Sequence, residues 1–164
     1  IMLNISKKNF LITTFLTFFI FILDRLTKLY VVNFSEKNYS NEIFSSKYLN
    51  INLTWNEGIA FGLFSFDDKY FYNILTFLIG IVIIIIIFMI RKNKNFKRIS
   101  LIMILGGALG NFYDRIFFNA VPDFIDFHIG NYHWFVFNVS DIFITLGVIF
   151  MIILEFIDNN KYAK

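Results

Sequence analysis

The stretch that decides the fold is GGALGNFYDRIFFNAVPDFIDFHIGNYHWFVFNVSD, residues 106–141. It connects two apolar runs and carries five acidic or basic side chains, namely Asp114, Arg115, Asp123, Asp126 and Asp141. An ionisable group at membrane depth is costly, so a cluster of them predicts a functional site. We expect this stretch to leave the membrane and return to it with the functional groups.

The composition indicates an integral membrane protein. Hydrophobic residues make up 57% of the 164 residues and aromatic residues 21%, more apolar surface than a soluble core of this size can hide. We expect a single domain over residues 1–164. The absence of cysteine excludes disulfides, thiolate metal sites and a cysteine nucleophile.

Four apolar runs predict transmembrane helices at about residues 10–32, 70–90, 99–116 and 141–157, with polar loops at about 33–69 and 117–140. The first should be an uncleaved helix, because Asp24 and Arg25 follow its apolar run where a signal peptide would have a small-residue cleavage site. Basic residues crowd the connector at 91–98, which the positive-inside rule assigns to the cytoplasm together with both termini.

Extended segments are predicted in both polar loops. Strict alternation of apolar and polar residues in Leu49–Asn56 predicts a strand with one buried face. Residues 121–128 and 132–137 are rich in aromatic and β-branched residues, and the Gly130-Asn131 pair between them suits a hairpin turn. Asn138 or Ser140 can then cap the fourth helix.

Asp123 and Asp141 can meet if the second loop leaves and re-enters the same membrane surface. Two neighbouring carboxylates cannot both ionise easily, so they share a proton. One carboxylate then acts as general base toward water while its protonated partner polarises a carbonyl, as in aspartic proteases. The structural alternative makes Asp141 a helix-capping acid and Asp123 a turn residue.

Other polar residues lie on the first and third helices. Asp24 and Lys28 have the favourable spacing and order for an ion pair on one helix face, although Lys28 can instead reach to water at the membrane interface. Gly106, Gly107, Ala108 and Gly110 form a small-residue face suited to close helix packing. Such packing does not require Asn111 and Arg115 one turn apart beside it.

Other chemistries have weaker support. His128 and His133 have no obvious nucleophile, and we interpret them as interfacial residues. The chain lacks a His-x-x-x-His zinc spacing and a phosphate-binding glycine loop. A transporter or channel is the main rival. Its acids would have to line a path, but they gather at one membrane face, and no pair of similar halves is visible.

Five motifs, in order along nearly the whole chain, resemble those of lipoprotein signal peptidase, the type II signal peptidase family of bacteria. They are DRLTK at 24–28, NEGIAF at 56–61, GGALGNFYDR at 106–115, VPDF at 121–124 and FNVSD at 137–141. Prepilin peptidases, another class of membrane aspartic protease, are a poorer match because their Gly-x-Gly-Asp signature is absent.

The resemblance implies an aspartic endopeptidase that removes signal peptides from prolipoproteins, cutting before a cysteine that carries diacylglycerol. Asp123 and Asp141 match the family's catalytic pair. The residues that match positions for substrate binding or site organisation are Asp24, Lys28, Asn56, Gly58, Asn111, Arg115 and Asn138. Membrane lipid and globomycin-type inhibitors are the other implied partners. We expect no metal, no organic cofactor, no nucleic acid and a monomeric protein.

The implied fold is mainly α, with four transmembrane helices, both termini cytoplasmic, a small extracytoplasmic β-cradle and a small helical element over the active site. The implied location is the bacterial cytoplasmic (inner) membrane, with the active site near the extracytoplasmic face. Two residues depart from the family pattern. Ser140 replaces the usual alanine and offers a hydrogen bond near the dyad, and Pro122 replaces a small aliphatic residue and stiffens its loop.

Overall fold

The computed structural model describes residues 6–58 and 69–162, which form four long helices and one antiparallel sheet. The helices are α1 (Lys7–Asn38), α2 (Lys69–Lys92), α3 (Asn95–Phe118) and α4 (Val139–Tyr162). The strands are β1 (Glu42–Ser45), β2 (Leu49–Asn56), β3 (Val121–Ile129) and β4 (Tyr132–Phe137). All four helices are long and apolar enough to cross a membrane, which confirms the predicted mainly α architecture of four spanning helices and a small sheet.

The helices extend beyond the predicted apolar runs. Ser6 caps α1 by accepting a hydrogen bond from the backbone of Asn9, and the helix ends only where Tyr39 adopts a left-handed conformation. Residues 33–38, predicted as loop, are therefore helical. Hydropathy marks the part of a helix that can lie in lipid, whereas polar turns continue the same backbone pattern beyond it.

Helix α3 lies at the centre of the bundle and packs against the other three helices. Its glycines permit this close packing. A Cβ atom on Gly106 would lie 2.7 Å from Cβ of Ile20 in α1, and one on Gly107 would lie 2.5 Å from the carbonyl oxygen of Ser140 in α4. The small-residue face thus brings the start of α4 against α3.

The outer faces of the other helices expose large apolar side chains. Phe15 of α1, Phe77 of α2 and Phe156 of α4 are each 68% exposed. In a bilayer this surface faces lipid, so its exposure carries no penalty. The interior of the bundle is a cluster of buried aliphatic residues: Ile20, Ile83, Ile86, Ile90, Leu101, Ile102 and Leu105.

The sheet has the order β1-β2-β3-β4 and packs on one end of the bundle. Strand β2 has the predicted bounds, and β3 and β4 form the predicted hairpin, with Gly130 in the turn at a φ of 60°. Strand β1 was not predicted, because four residues are too short for a clear alternation. Leu53 of β2 and Phe124 of β3 pack with Val31 of α1, which fixes the sheet against the first helix.

Candidate active site

Asp141 lies in the first turn of α4 within a reciprocal capping interaction. The side-chain oxygen of Asn138 accepts a hydrogen bond from the backbone of Asp141 at 3.1 Å, and the Asp141 carboxylate accepts one from the backbone of Asn138 at 3.1 Å. This is the capping-box pattern with aspartate at its third position. It confirms Asn138 as the cap and orients the Asp141 carboxylate within its own helix.

Asp123 lies near the start of β3 and is only 4% exposed. Its two carboxylate oxygens accept hydrogen bonds from Nδ2 of Asn138 at 2.6 Å and Nδ2 of Asn56 at 2.8 Å. Burial, followed by the charge of Asp141, raises the pKa of Asp123 to about 6, against the opposing effect of both hydrogen bonds and of Lys28. Asp123 is therefore coupled electrostatically to Asp141, and Asn138 bonds to both.

Three asparagines contact the two carboxylates, and each amide is oriented by a donor at its oxygen end. The Oδ1 atoms of Asn56, Asn111 and Asn138 accept from the backbone of Gly58, from Lys28 Nζ and from the backbone of Asp141, respectively. Each Nδ2 atom is left to face a carboxylate, and Asn111 reaches Asp141 at 2.8 Å. Both aspartates thus accept two hydrogen bonds from fixed donors.

Behind this layer lies a group of four ionic side chains that joins α1 to α3; three of them are buried and the fourth, Arg25, is 11% exposed. Lys28 Nζ lies 2.9 Å from Asp24, 2.8 Å from Asp114 and 2.7 Å from Asn111 Oδ1, so all three of its donors have acceptors. Arg25 contacts both oxygens of Asp114, at 2.6 and 2.8 Å. The four charges cancel, as buried charges require.

The ion pair of Asp24 and Lys28 is thus confirmed, and it is buried: the two side chains are 0% and 1% exposed. Lys28 does not reach to water, because acceptors on α3 surround its ammonium group. Asp24 also accepts a hydrogen bond from the backbone of Ser140 at 3.1 Å, which attaches the start of α4 to α1.

Arg115 and Gly58 form a hydrogen bond at one side of the network. Arg115 donates to the backbone oxygens of Asn111, at 3.2 Å, and Gly58, at 3.3 Å. This contact ties α3 to the residues that follow β2. The remainder of the NEGIAF motif, residues 59–61, lies outside the described residues, and the structure describes no helical element over the site.

The two unusual residues have different surroundings. The Ser140 hydroxyl is buried and makes no hydrogen bond within residues 6–58 and 69–162. The hydrogen bond that Ser140 was expected to offer near Asp123 and Asp141 is therefore not found among these residues. Pro122 pairs with Trp55 of β2 and precedes Ile125, where pairing between β3 and β4 begins. Proline has no backbone N–H to donate, and this is tolerated because the edge of β3 that later faces β4 is still unpaired at Pro122.

All nine site residues suggested by the sequence meet in this one network: Asp24, Lys28, Asn56, Gly58, Asn111, Arg115, Asp123, Asn138 and Asp141. Arg25 and Asp114 belong to it as well but were absent from the predicted set. Both lie in the quoted DRLTK and GGALGNFYDR motifs, so the signal was present in the sequence.

An apolar groove of about 590 Å³ reaches the network from the side of the β-hairpin and α4. Aromatic residues of β3 and β4, including Phe127, Trp134 and Phe137, line one wall, and Leu146 of α4 lies on the other. Asp141 also contributes to the lining. A long apolar ligand in this groove would therefore lie beside a carboxylate.

The arrangement suits water activation next to an extended backbone. Two coupled carboxyl groups supply a proton acceptor and a proton donor, and the surrounding amides hold both without taking up the proton. Asp24, Lys28 and Asp114 are also buried, but they pair with one another and with Arg25 and are therefore not free to react.

Comparisons with known proteins agree on one family. Residues 16–157 match the family model described as Signal peptidase (SPase) II. A lipoprotein signal peptidase of Pelagibacter ubique (strain HTCC1062) is 52% identical over 158 residues, covering 96% of this chain and 95% of that protein. The lipoprotein signal peptidase of Francisella tularensis subsp. novicida (strain U112) is 40% identical over 127 residues, covering 75% and 79%.

Two solved structures, each described as a bacterial membrane enzyme determined by the in meso method, share the fold. The first, at 2.3 Å resolution, has a TM-score of 0.73 and 29% identity, covering 91% of this chain and 90% of its own. The second, at 1.9 Å resolution, has a TM-score of 0.70 and 30% identity, covering 87% and 90%.

Proposed function

Because this chain belongs to the signal peptidase II family, we propose that it removes signal peptides from prolipoproteins as an aspartic endopeptidase. The cut falls immediately before a cysteine that carries diacylglycerol. The observation that carries the proposal is the coupled pair of Asp123 and Asp141, bridged by Asn138.

Asp123 and Asp141 share one proton in the resting site. The ionised member takes a proton from water, and the protonated member donates a hydrogen bond to the scissile carbonyl oxygen. Water oxygen bonds to the carbonyl carbon, and the resulting tetrahedral intermediate collapses when a carboxyl group protonates the leaving nitrogen. The proton is assigned to the pair rather than to either residue, because each carboxylate has two fixed donors.

The asparagines and the buried ions act as positioning residues. Lys28 fixes the Asn111 amide, which in turn holds Asp141. Asp24 neutralises Lys28 and anchors the start of α4. Arg115 lies one turn after Asn111, where its guanidinium can also meet substrate carbonyl groups as a planar donor.

The apolar groove beside Asp141 suits a substrate that arrives within the membrane. Its aromatic and aliphatic lining matches acyl chains or the apolar core of a signal peptide. We assign the diacylglyceryl group to this region. Globomycin-type inhibitors would compete for the same groove and the same carboxyl groups.

The protein spans the bacterial inner membrane with both termini and the basic connector at 91–98 in the cytoplasm. The arginine and lysine content of that connector supports this orientation. The dyad and the sheet lie at the opposite end of the bundle, and therefore at the extracytoplasmic face. We expect the protein to act as a monomer, because all nine site residues come from one chain.

An ion path is less well supported. Asp24 and Asp114 are neutralised by Lys28 and Arg25, and the interior of the bundle away from the sheet is aliphatic. A transporter would need polar groups at successive depths of the membrane.

The decisive experiment is cleavage of a diacylglyceryl-modified prolipoprotein peptide by purified protein in detergent. Asp123→Asn and Asp141→Asn should each abolish cleavage, whereas Glu155→Gln, which removes an exposed carboxylate on the opposite end of α4, should not. The unlipidated peptide should resist cleavage, and globomycin should inhibit the wild type. Well-folded wild type without activity, or undiminished activity in either aspartate variant, would refute the proposal.

A further inference from the structure

Three side chains of the β3–β4 hairpin form a second cluster, which the proposed reaction does not use. Asp126, His128 and His133 each offer one ligand atom, and these atoms all lie within 4.8 Å of one another. Nδ1 of His133 lies 2.8 and 3.0 Å from the two carboxylate oxygens of Asp126. The rings of His128 and His133 stack with their centroids 5.0 Å apart.

A β-bulge brings the cluster together. Asp126 and His128 are two residues apart on β3 and share one face of the sheet. Asp126 pairs with Val136, but His128 pairs with His133, so β4 has one extra residue in this interval. In a regular pairing Trp134 would lie opposite His128. The bulge turns His133 toward the face that carries the other two side chains.

One ring nitrogen in the cluster lacks a partner. Nδ1 of His128 is buried and makes no hydrogen bond within the described part of the chain. Leaving such a polar atom unsatisfied costs about 1–3 kcal/mol, so a ligand that bonds to it would remove a penalty. The Asp126 residue is 7% exposed, and Asn50 Nδ2 lies 3.4 Å from its carboxylate and helps to orient it.

We propose that Asp126, His128 and His133 bind a divalent transition-metal ion of the zinc class. Two imidazoles and one carboxylate are a ligand set that Zn²⁺ prefers, and the fourth position can hold water. Ligands at tetrahedral Zn²⁺ lie about 3.3 Å apart, so small side-chain rotations bring these atoms into place. The half-exposed His133 side chain provides access from solvent.

The bound ion would act as a clamp between β3 and β4. Asp123 lies three residues before Asp126 on β3, and the alternation of the strand directs their side chains to opposite faces. The ion is therefore not a reactant. His128 also lines the apolar groove beside Asp141, so the clamp would hold one edge of that groove.

Binding of Zn²⁺ alone tests the proposal, independently of catalysis. Protein purified without a polyhistidine tag and treated with chelator is dialysed against Zn²⁺, and bound metal is measured by elemental analysis. We expect one ion per wild-type chain. His128→Gln and His133→Gln should each weaken binding by at least about tenfold. Glu155→Gln, which removes an exposed carboxylate far from the hairpin, should leave it unchanged.

Two further measurements distinguish a specific metal site from nonspecific metal binding. Zn²⁺ should raise the thermal unfolding midpoint of the wild type but not of the histidine variants, and Mg²⁺ should raise neither. Co²⁺ should give the visible absorption of a tetrahedral site in the wild type only. The absence of binding at 100 µM Zn²⁺ would overturn the proposal. Equal binding by the wild type and both histidine variants would overturn it as well, because the metal would then be an adventitious ion only.

Discussion

Nδ2 of Asn138 lies 2.6 Å from Oδ1 of Asp123, while the other end of the same side chain caps the helix that carries Asp141. One asparagine therefore connects the strand aspartate to the helix aspartate. Because its oxygen is occupied by the helix, its nitrogen can only face Asp123.

Two substitutions of Asn138 should separate capping from catalysis. Asn138→Ser keeps a capping hydroxyl but loses the donor to Asp123, whereas Asn138→Ala loses both. Both variants should lower kcat by about 10- to 100-fold, the effect of removing a hydrogen bond to a charged group. Only the alanine variant should lose the additional capping energy of about 1 kcal/mol, measured as the difference in unfolding free energy between the variants. Identical stability of the two would contradict the capping role.

The pH dependence of cleavage should reflect the raised pKa of Asp123. The pair retains its shared proton below about pH 6, the raised pKa of Asp123, and loses it above, so kcat/KM should fall as pH rises through this region. The hydrogen bond from Asn56 stabilises the ionised carboxylate and lowers its pKa. Asn56→Ala should therefore move the basic limb upward by about one pH unit. Asn50→Ala changes the same strand but lies beside Asp126, so it should leave the basic limb of the kcat/KM profile in place. An equal shift of the limb in both variants would argue against a specific effect of Asn56.

Removing Lys28 should unbalance the buried charges. Lys28→Met leaves Asp24 and Asp114 with Arg25 alone, and we expect a loss of about 3–5 kcal/mol in stability. Adding Asp24→Asn restores neutrality, so the double variant should be more stable than Lys28→Met.

The comparison for this charge experiment is Lys97→Met. Lys97 pairs with Glu155 and Asp158 at the exposed end of the bundle, where water and salt screen the charges, so its loss should cost far less stability than the loss of Lys28. Unfolding in detergent, followed by tryptophan fluorescence, measures all of these variants. Equal losses for the two lysines would mean that the charges around Lys28 are well solvated.

The Ser140 hydroxyl should be dispensable. It is buried and makes no hydrogen bond with a residue that the structure describes, so Ser140→Ala removes an unsatisfied polar group. We expect a gain of about 1 kcal/mol in stability and cleavage within about twofold of wild type, because the bond to Asp24 comes from the backbone. Reduced stability would instead indicate a partner for the hydroxyl outside residues 6–58 and 69–162.

The sequence supports most of the secondary structure because each segment has a strong local signal. Strand β2 alternates without interruption, and the four helices carry long apolar runs. The polar turns at 33–38 and the short strand β1 lack such signals. Their conformation depends on a left-handed stop at Tyr39 and on pairing with β2.

The site residues could be collected from the sequence, but their connections could not. Motifs indicate that Asn56, Asn111 and Asn138 belong together, whereas the direction of each amide depends on donors from other elements. The cluster around Asp126 was missed for a related reason. A one-residue bulge determines which side chain lies opposite His128, and this bulge cannot be predicted from the spacing of residues in the sequence.

The capping interaction at the start of α4 also bears on when the protein becomes active during its synthesis. Asp141 is oriented by Asn138 at the start of its own helix and by Asn111 of α3. Asp123 depends on Asn56, which is made much earlier, and on Asn138, which follows it. The dyad can form only after the last helix has entered the membrane and met α3. The nascent chain should therefore remain without proteolytic activity until insertion is complete.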